Sequence, residues 1–232
     1  MIFSELESGH SLEGKPITAF KTDIKASKYL YLIGGVHGNE VEGVYVLKEL
    51  FNWLKNEHSL KDMPIVVIPI LNVDGYRAQS RVNAHLVDLN RNLPTKDWTA
   101  EKSQPKYNPG PKPLSEPENQ FLVKMLGKYK PGMIISFHTW KPLLNHNGDC
   151  KDVAEYLNQF NKYEMADDIG YPTPGSLGAF GVEKYNSPVL TFECPELQTH
   201  RESLKEIWLE NEEGLKTMFQ TDLIWNKLNL KK

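Results

Sequence analysis

At 232 residues and 40% hydrophobic content, the chain is long enough to bury one sizeable core, and its length favours a single domain over residues 1–232. A net charge of −3, with Lys, Arg, Asp and Glu spread along the sequence, excludes a basic field for nucleic acid and an acidic tail. The opening MIFSELESGHSLEGK has acids where an export signal needs a basic segment and then an apolar one, and no run reaches membrane-spanning length; a soluble cytoplasmic protein with no membrane contact is expected. Cys150 and Cys194 lack zinc-ligand or redox spacing, which suits free thiols in a reducing compartment.

In chain order, SKYLYLIGG (27–35) and MPIVVIPILN (63–72) are short apolar runs bounded by Gly or Pro, with Val44, Leu47, Phe51 and Leu54 at helical spacing between them. This predicts a strand, helix, strand unit. From Asn72 to Pro113 the sequence turns polar and rich in Pro, a length at which loops usually carry function. SEPENQFLVKMLGKYK (115–130) opens with a Ser cap and acids, places Phe121, Leu122, Met125, Leu126 and Tyr129 on one face, and stops at Pro131 and Gly132; it reads as a helix. GMIISFH (132–138) then reads as a buried strand, DVAEYLNQFNKY (152–163) as a helix and SPVLTFE (187–193) as a strand. RESLKEIWLENEEGLKTMFQTDLIWNKL (201–228) reads as one long C-terminal helix. The alternation predicts a three-layer α/β/α sandwich around a mixed, mostly parallel sheet.

In such sheets ligands bind at the carboxyl ends of strands, and the suspicious residues cluster there: His37 and Glu40, Asn72 and Asp74, His138, and Glu193. Two imidazoles and a carboxylate with an open fourth position make a catalytic zinc shell, so His37, Glu40 and His138 are the expected ligands of one zinc ion, with Glu193 as the base. The competing reading of His37-x-x-Glu40 is a turn with an acid that favours a helix N-terminus. In SRVNAHLVDLNRN (80–92), Arg81, Asn90 and Arg91 supply donors for an anion, while Asp88 can orient a ligand imidazole.

HGNE, NVDGY, RVNA, VDLNRN, SEPE, SFH and LTFE stand in the order and at about the spacings of the zinc carboxypeptidase family, which this chain resembles from about SLEGKPI to Glu193. GYPTPGSLGAFG (170–181) and the compact length are most similar to its murein peptide amidase branch, which cleaves the γ-D-glutamyl to meso-diaminopimelate bond of peptidoglycan peptides. The resemblance implies a zinc carboxypeptidase-like fold, with His37, Glu40 and His138 on zinc, Asp88 behind His37, and Glu193 as general base and then acid. It further implies that Arg81 holds the developing oxyanion, Asn90 and Arg91 clamp the free carboxylate of the residue released, and Tyr171 closes on that carboxylate or on the scissile amide. The expected partner is a small peptide with a free carboxylate, such as the murein tripeptide L-Ala-γ-D-Glu-diaminopimelate. The chain departs from the family in carrying Leu93, where an aromatic residue often follows NRN, and in lacking the length for larger digestive-type loops.

Two other functions compete. An N-acyl amino acid deacylase of the aspartoacylase and succinylglutamate desuccinylase type shares HGNE and DLNR, but SEPE paired with YPTPGSLG resembles the peptidase side. A non-catalytic module for carboxylate-ended peptides has no use for a general base. The remaining residues take plainer readings. His10, His58, His85 and His200 sit in polar surroundings and read as surface residues; Asn72 and Asp74 read as turn builders. Alternation along VLTFEC turns Cys194 away from Glu193 and into packing. HTWKPLLNHNGDC (138–150) is expected to line the pocket, with Asp149 read as a turn acid in preference to a partner for a substrate ammonium.

Overall fold

The apolar runs form the middle of one mixed sheet in the computed structural model, which describes residues 1–199 and 201–230. The strands are β1 (Phe3–Glu5), β2 (Gly9–His10), β3 (Pro16–Ile17), β4 (Phe20–Thr22), β5 (Tyr29–Gly34), β6 (Ile65–Ile68), β7 (Pro131–Trp140), β8 (Leu143–Asn147), β9 (Glu164–Ala166) and β10 (Val189–Pro195). The helices are α1 (Val41–Asn56), α2 (Val73–Ala78), α3 (Pro117–Lys128), α4 (Lys151–Asn161), α5 (Leu177–Tyr185), α6 (Leu204–Met218) and α7 (Leu223–Lys227), with short 3-10 turns at Leu89–Arg91 and Pro105–Tyr107. Among the described residues the sheet order is β1-β4-β6-β5-β7-β10-β8-β9, and β2 pairs with β3 apart from it. The four central strands β6, β5, β7 and β10 are parallel; β4 and β8 flank them antiparallel.

Both faces of the sheet are covered, as a period of two in runs without polar interruption requires. Leu30, Leu32, Val67, Ile135, Phe137 and Phe192 pack against α1, α4 and α6. Tyr31, Ile33, Val66, Ile68, Ile134 and Val189 pack on the other side against α3 and α5. The expected three layers are present. Cys150 and Cys194 are free and fully buried; Cys194 joins Phe192 in the α1 layer.

The long C-terminal helix breaks in two. The Thr221 hydroxyl donates to the Met218 carbonyl at 2.7 Å and accepts from the Leu223 N–H at 3.3 Å, a local competition with the helical ladder that ends α6 and restarts the chain as α7. Helix α5 has no counterpart among the elements read from the sequence. Its Gly178 and Gly181 depress helix propensity, and the Ser176 cap and burial of Leu177 and Phe180 override it.

The chain leaves β5 through α1 to the neighbour β6, and later returns to β7 on the opposite side of β5. Strand order reverses between β5 and β7, so their carboxyl ends open a crevice between connections that diverge in opposite directions.

Candidate active site

His37 lies three residues past β5, at this reversal, and Glu40 sits at the N-cap position of α1. Its carboxylate makes no capping bond and faces the imidazoles instead. The helix-start reading of the acid is therefore only its address. Glu40 Oε1 lies 2.7 Å from His37 Nδ1, and Oε2 lies 2.8 Å from His138 Nδ1. The Thr139 N–H also donates to Oε2, at 3.2 Å. His138 belongs to β7, on the face that carries Ile134 and Ser136. All three side chains are buried.

The outer nitrogen of each ring has its own partner: His37 Nε2 lies 3.0 Å from Asp88 Oδ1, and His138 Nε2 lies 3.0 Å from Ser136 Oγ. A proton held on Nε2 by these acceptors frees the Nδ1 lone pair for a cation, and the two Nδ1 atoms face one another at 3.2 Å across the Glu40 carboxylate. Three electron-pair donors so arranged call for a cation among them. Among the described residues, His37, Glu40 and His138 form the group of ligand atoms, all within 4.8 Å of one another, that can hold a metal ion; two nitrogens and an oxygen with outer-ring support fit zinc.

Glu193 is two residues beyond Thr191 on the same face of β10, directly across from His138 in the parallel register. Its Oε2 is closed from solvent and has no hydrogen-bond partner among the described residues. Burial, with a lesser push from the Glu40 charge, raises its pKa to about 7 against the opposing pull of His138 and Arg81.

The polar loop after β6 supplies the other charges. The Arg81 guanidinium donates to Asp88 Oδ2 from Nε at 3.1 Å and from Nη2 at 3.0 Å, and from Nη1 to Glu40 Oε1 at 3.3 Å. Against burial, which favours the neutral acid, His37 and the guanidiniums of Arg81 and Arg91 hold Asp88 well below the usual carboxylate range. In the next turn Asn90 Oδ1 accepts from the Leu177 N–H at 2.8 Å, which leaves its amide N–H groups for a ligand. The buried Arg91 makes one hydrogen bond among the described residues, to the Asn90 carbonyl at 2.7 Å. Gly175 permits this approach of α5: its φ is +73°, and a Cβ there would strike the Arg91 carbonyl oxygen. Gly38 of HGNE likewise lies against the backbone of Gly75 of NVDGY, where a Cβ has no space.

Eight of the nine expected residues line one cleft of about 520 Å³: His37, Glu40, Arg81, Asn90, Arg91, His138, Tyr171 and Glu193. Asp88 is fully buried behind His37. Trp140, Asn145 and Asn147 also line the cleft, whereas His146 is not among its residues and Asp149 pairs with Lys227 at 3.3 Å, its side chain 95% exposed. Asn72 caps α2 through the Gly75 N–H at 2.9 Å, as a local turn builder does, whereas Asp74 accepts from the Ser11 hydroxyl at 2.7 Å and the Glu13 N–H at 3.0 Å and so ties the β2–β3 turn to α2. His10, His58 and His85 are exposed, while His200 lies outside the described residues. Leu93 is core. Sequence reading expected 138–150 to line the pocket without singling out Asn145 and Asn147, and it did not single out Thr191 or Tyr107. The first three had a signal in the period of two that places Thr191 beside Glu193 and skips His146; Tyr107 sits in an irregular loop with no period to expose it.

The zinc carboxypeptidase family model matches residues 2–173. Murein peptide amidase A of Escherichia coli K12 is 28% identical over 215 residues, covering 86% of this chain and 85% of the relative. The crystal structure of murein-tripeptide amidase from Escherichia coli O157 superposes with a TM-score of 0.77 at 26% identity, covering 94% of this chain and 92% of the other. Carboxypeptidase A from Helicoverpa armigera shares the fold at 17% identity, with a TM-score of 0.76 over 98% of this chain and 68% of that one.

Proposed function

Because the chain belongs to the zinc carboxypeptidase family and is a hydrolase, we propose that it is a one-zinc amidase that cleaves the γ-D-glutamyl to meso-diaminopimelate bond of murein peptides. The observation that carries this reading is one cleft holding a three-donor cation site together with, among the described residues, an unpartnered base and a guanidinium without an acid. The likeness to murein peptide amidase A along most of both chains supports the choice of bond.

When bound by His37, Glu40 and His138, zinc would supply the Lewis acidity that acidifies a water and polarises the scissile carbonyl. Glu193 would take the proton of that water and return it to the leaving nitrogen. Asp88 would fix the His37 tautomer and, with Glu40, hold Arg81 so that its donors meet the developing oxyanion. Asn90 and Arg91 would hold the free carboxylate of the residue released, which restricts cleavage to a chain end. Tyr171, 38% exposed at the mouth, would close on that carboxylate or on the scissile amide.

The reading places the protein in the cytoplasm, in recycling of wall peptides; two free buried thiols accord with a reducing compartment, and no helix among the described residues is long and apolar enough to cross a membrane. The test is incubation of zinc-loaded protein with the murein tri- and tetrapeptides and product identification by mass. Free diaminopimelate from the tripeptide is the expected product. Turnover of acetyl-aspartate or succinyl-glutamate in its place makes the protein a deacylase, and tight peptide binding without any turnover makes it a binding module.

A further inference from the structure

The cleft contains an aromatic ring that the mechanism leaves unused. Tyr107, in the 3-10 turn Pro105–Tyr107, is half-buried at the end of the long polar loop and lines the cleft. The Arg91 Cζ lies 5.1 Å from its ring centroid and the Arg81 Cζ 5.3 Å. Tyr171 stacks on the same ring, with centroids 6.3 Å apart and planes 26° from parallel. One side chain thus touches three of the residues assigned to substrate.

The two arginines depend on it unequally. Arg81 has two carboxylates to fix its plane, whereas Arg91 has only the Asn90 carbonyl among its hydrogen-bond partners in the described residues. A guanidinium attached at one corner can swing about that bond, and the face of an aromatic ring within about 6 Å supplies the missing constraint. The ring leaves the remaining N–H groups of Arg91 unoccupied, because a π face attracts the cation without consuming in-plane donors.

We propose that Tyr107 is a positioning residue that holds the Arg91 guanidinium for a substrate carboxylate and seats Tyr171 over the same group. The proposal rests on the carboxylate-clamp reading above. It assigns the ring the work, so phenylalanine should serve in place of tyrosine and an aliphatic or amide side chain should not.

The experiment measures equilibrium binding of L-Ala-γ-D-Glu-meso-diaminopimelate to zinc-loaded Glu193→Gln protein by calorimetry, with the tripeptide as free acid and with the carboxylate beside its scissile amide converted to the carboxamide. In that background the free acid is expected to bind tens of times more tightly than the amide. Adding Tyr107→Leu or Tyr107→Gln should weaken the free acid about tenfold and leave the amide within about twofold, so the ratio shrinks; Tyr107→Phe should keep it. Combining Tyr107→Leu with Arg91→Ala should cost little beyond Arg91→Ala alone, because the two act on one contact. The second non-aromatic variant and zinc content separate positioning from a loss of fold. An unchanged ratio in a zinc-loaded Tyr107→Leu or Tyr107→Gln protein overturns the proposal while the clamp stands. Equal binding of acid and amide by the Glu193→Gln protein overturns the clamp, and Tyr107's role with it.

Discussion

Glu193 keeps one oxygen sealed from solvent and, among the described residues, unpartnered, while a second acid, Glu40, lies against His37 and His138. Burial makes the ionised form costly and raises the Glu193 pKa to about 7 in the metal-free protein. Glu193→Gln should therefore retain zinc and lose on the order of a hundredfold or more in kcat, since the amide has nearly the same shape but cannot accept the proton. Single-turnover assays with metal analysis check this, and an active, zinc-loaded variant would move the base elsewhere. The same shift has a stability consequence in metal-free protein. Between the unfolded value of about 4.3 and the folded value of about 7, the native state binds a proton that the unfolded chain has lost, so stability falls as pH rises through that window. Above pH 7 the metal-free Glu193→Gln protein should be more stable than the parent, by on the order of 1–3 kcal/mol, and below pH 4 the two should coincide. Urea unfolding at pH 4, 6 and 8 in the presence of chelator decides it; a constant difference at all three would place the strain outside this carboxyl.

At the level of elements, the site depends on how α5 meets the 3-10 turn Leu89–Arg91, and Gly175 is the joint. It takes φ of +73°, donates to Thr95 Oγ1 at 2.9 Å, accepts from the Leu93 N–H at 3.1 Å and lies against the Arg91 carbonyl. Gly175→Ala combines a strained φ with a collision and should cost about 2–4 kcal/mol of stability. Gly127→Ala, on the exposed side of α3 where a Cβ meets nothing within 4 Å, should instead stabilise by about 0.5–1 kcal/mol. Denaturant midpoints for the pair test the contrast; equal midpoints would remove Gly175 from the joint. These elements also show where sequence reading works. The strands β5, β6, β7 and β10 and the helices α1 and α3 were legible because each buries a full periodic face, and the motifs at their ends then fell on one edge of the sheet. The edge strands β1 and β9 and the inner strand β4 have three residues each, too few for a period, and β4 takes its place from its partners β1 and β6. Helix α5 was hidden by its own glycines, and Tyr107 by a loop whose form is set from outside it. His37, Glu40, His138 and Glu193 could be grouped from topology, whereas the contact of Arg81 with both Asp88 and Glu40 needed coordinates.

Over the whole molecule, the cation site joins segments that are remote in sequence: His138 is 101 residues from His37 and 98 from Glu40. The first two come from opposite sides of the point where strand order reverses, so their geometry exists only when the central sheet is assembled between its two apolar layers. An ion held there binds the native chain and finds no comparable set of donors in the unfolded one, which makes metal binding a contribution to global stability. With free zinc at about a thousand times its dissociation constant, the linkage supplies about 4 kcal/mol. At roughly 2–4 °C per kcal/mol for a domain of this size, the melting temperature should rise by roughly 8–16 °C on zinc addition and fall back with chelator. His138→Ala should abolish nearly all of that rise, because two ligands from one turn no longer bridge the sheet. His85→Ala should leave it intact, since that ring is exposed and reaches Glu116 at 3.1 Å, away from the cleft. Calorimetric scans of the three proteins with zinc and with chelator separate the cases. A parent that melts at one temperature in both conditions has no ion coupled to its fold, and a His138→Ala protein that keeps the full shift has its zinc elsewhere.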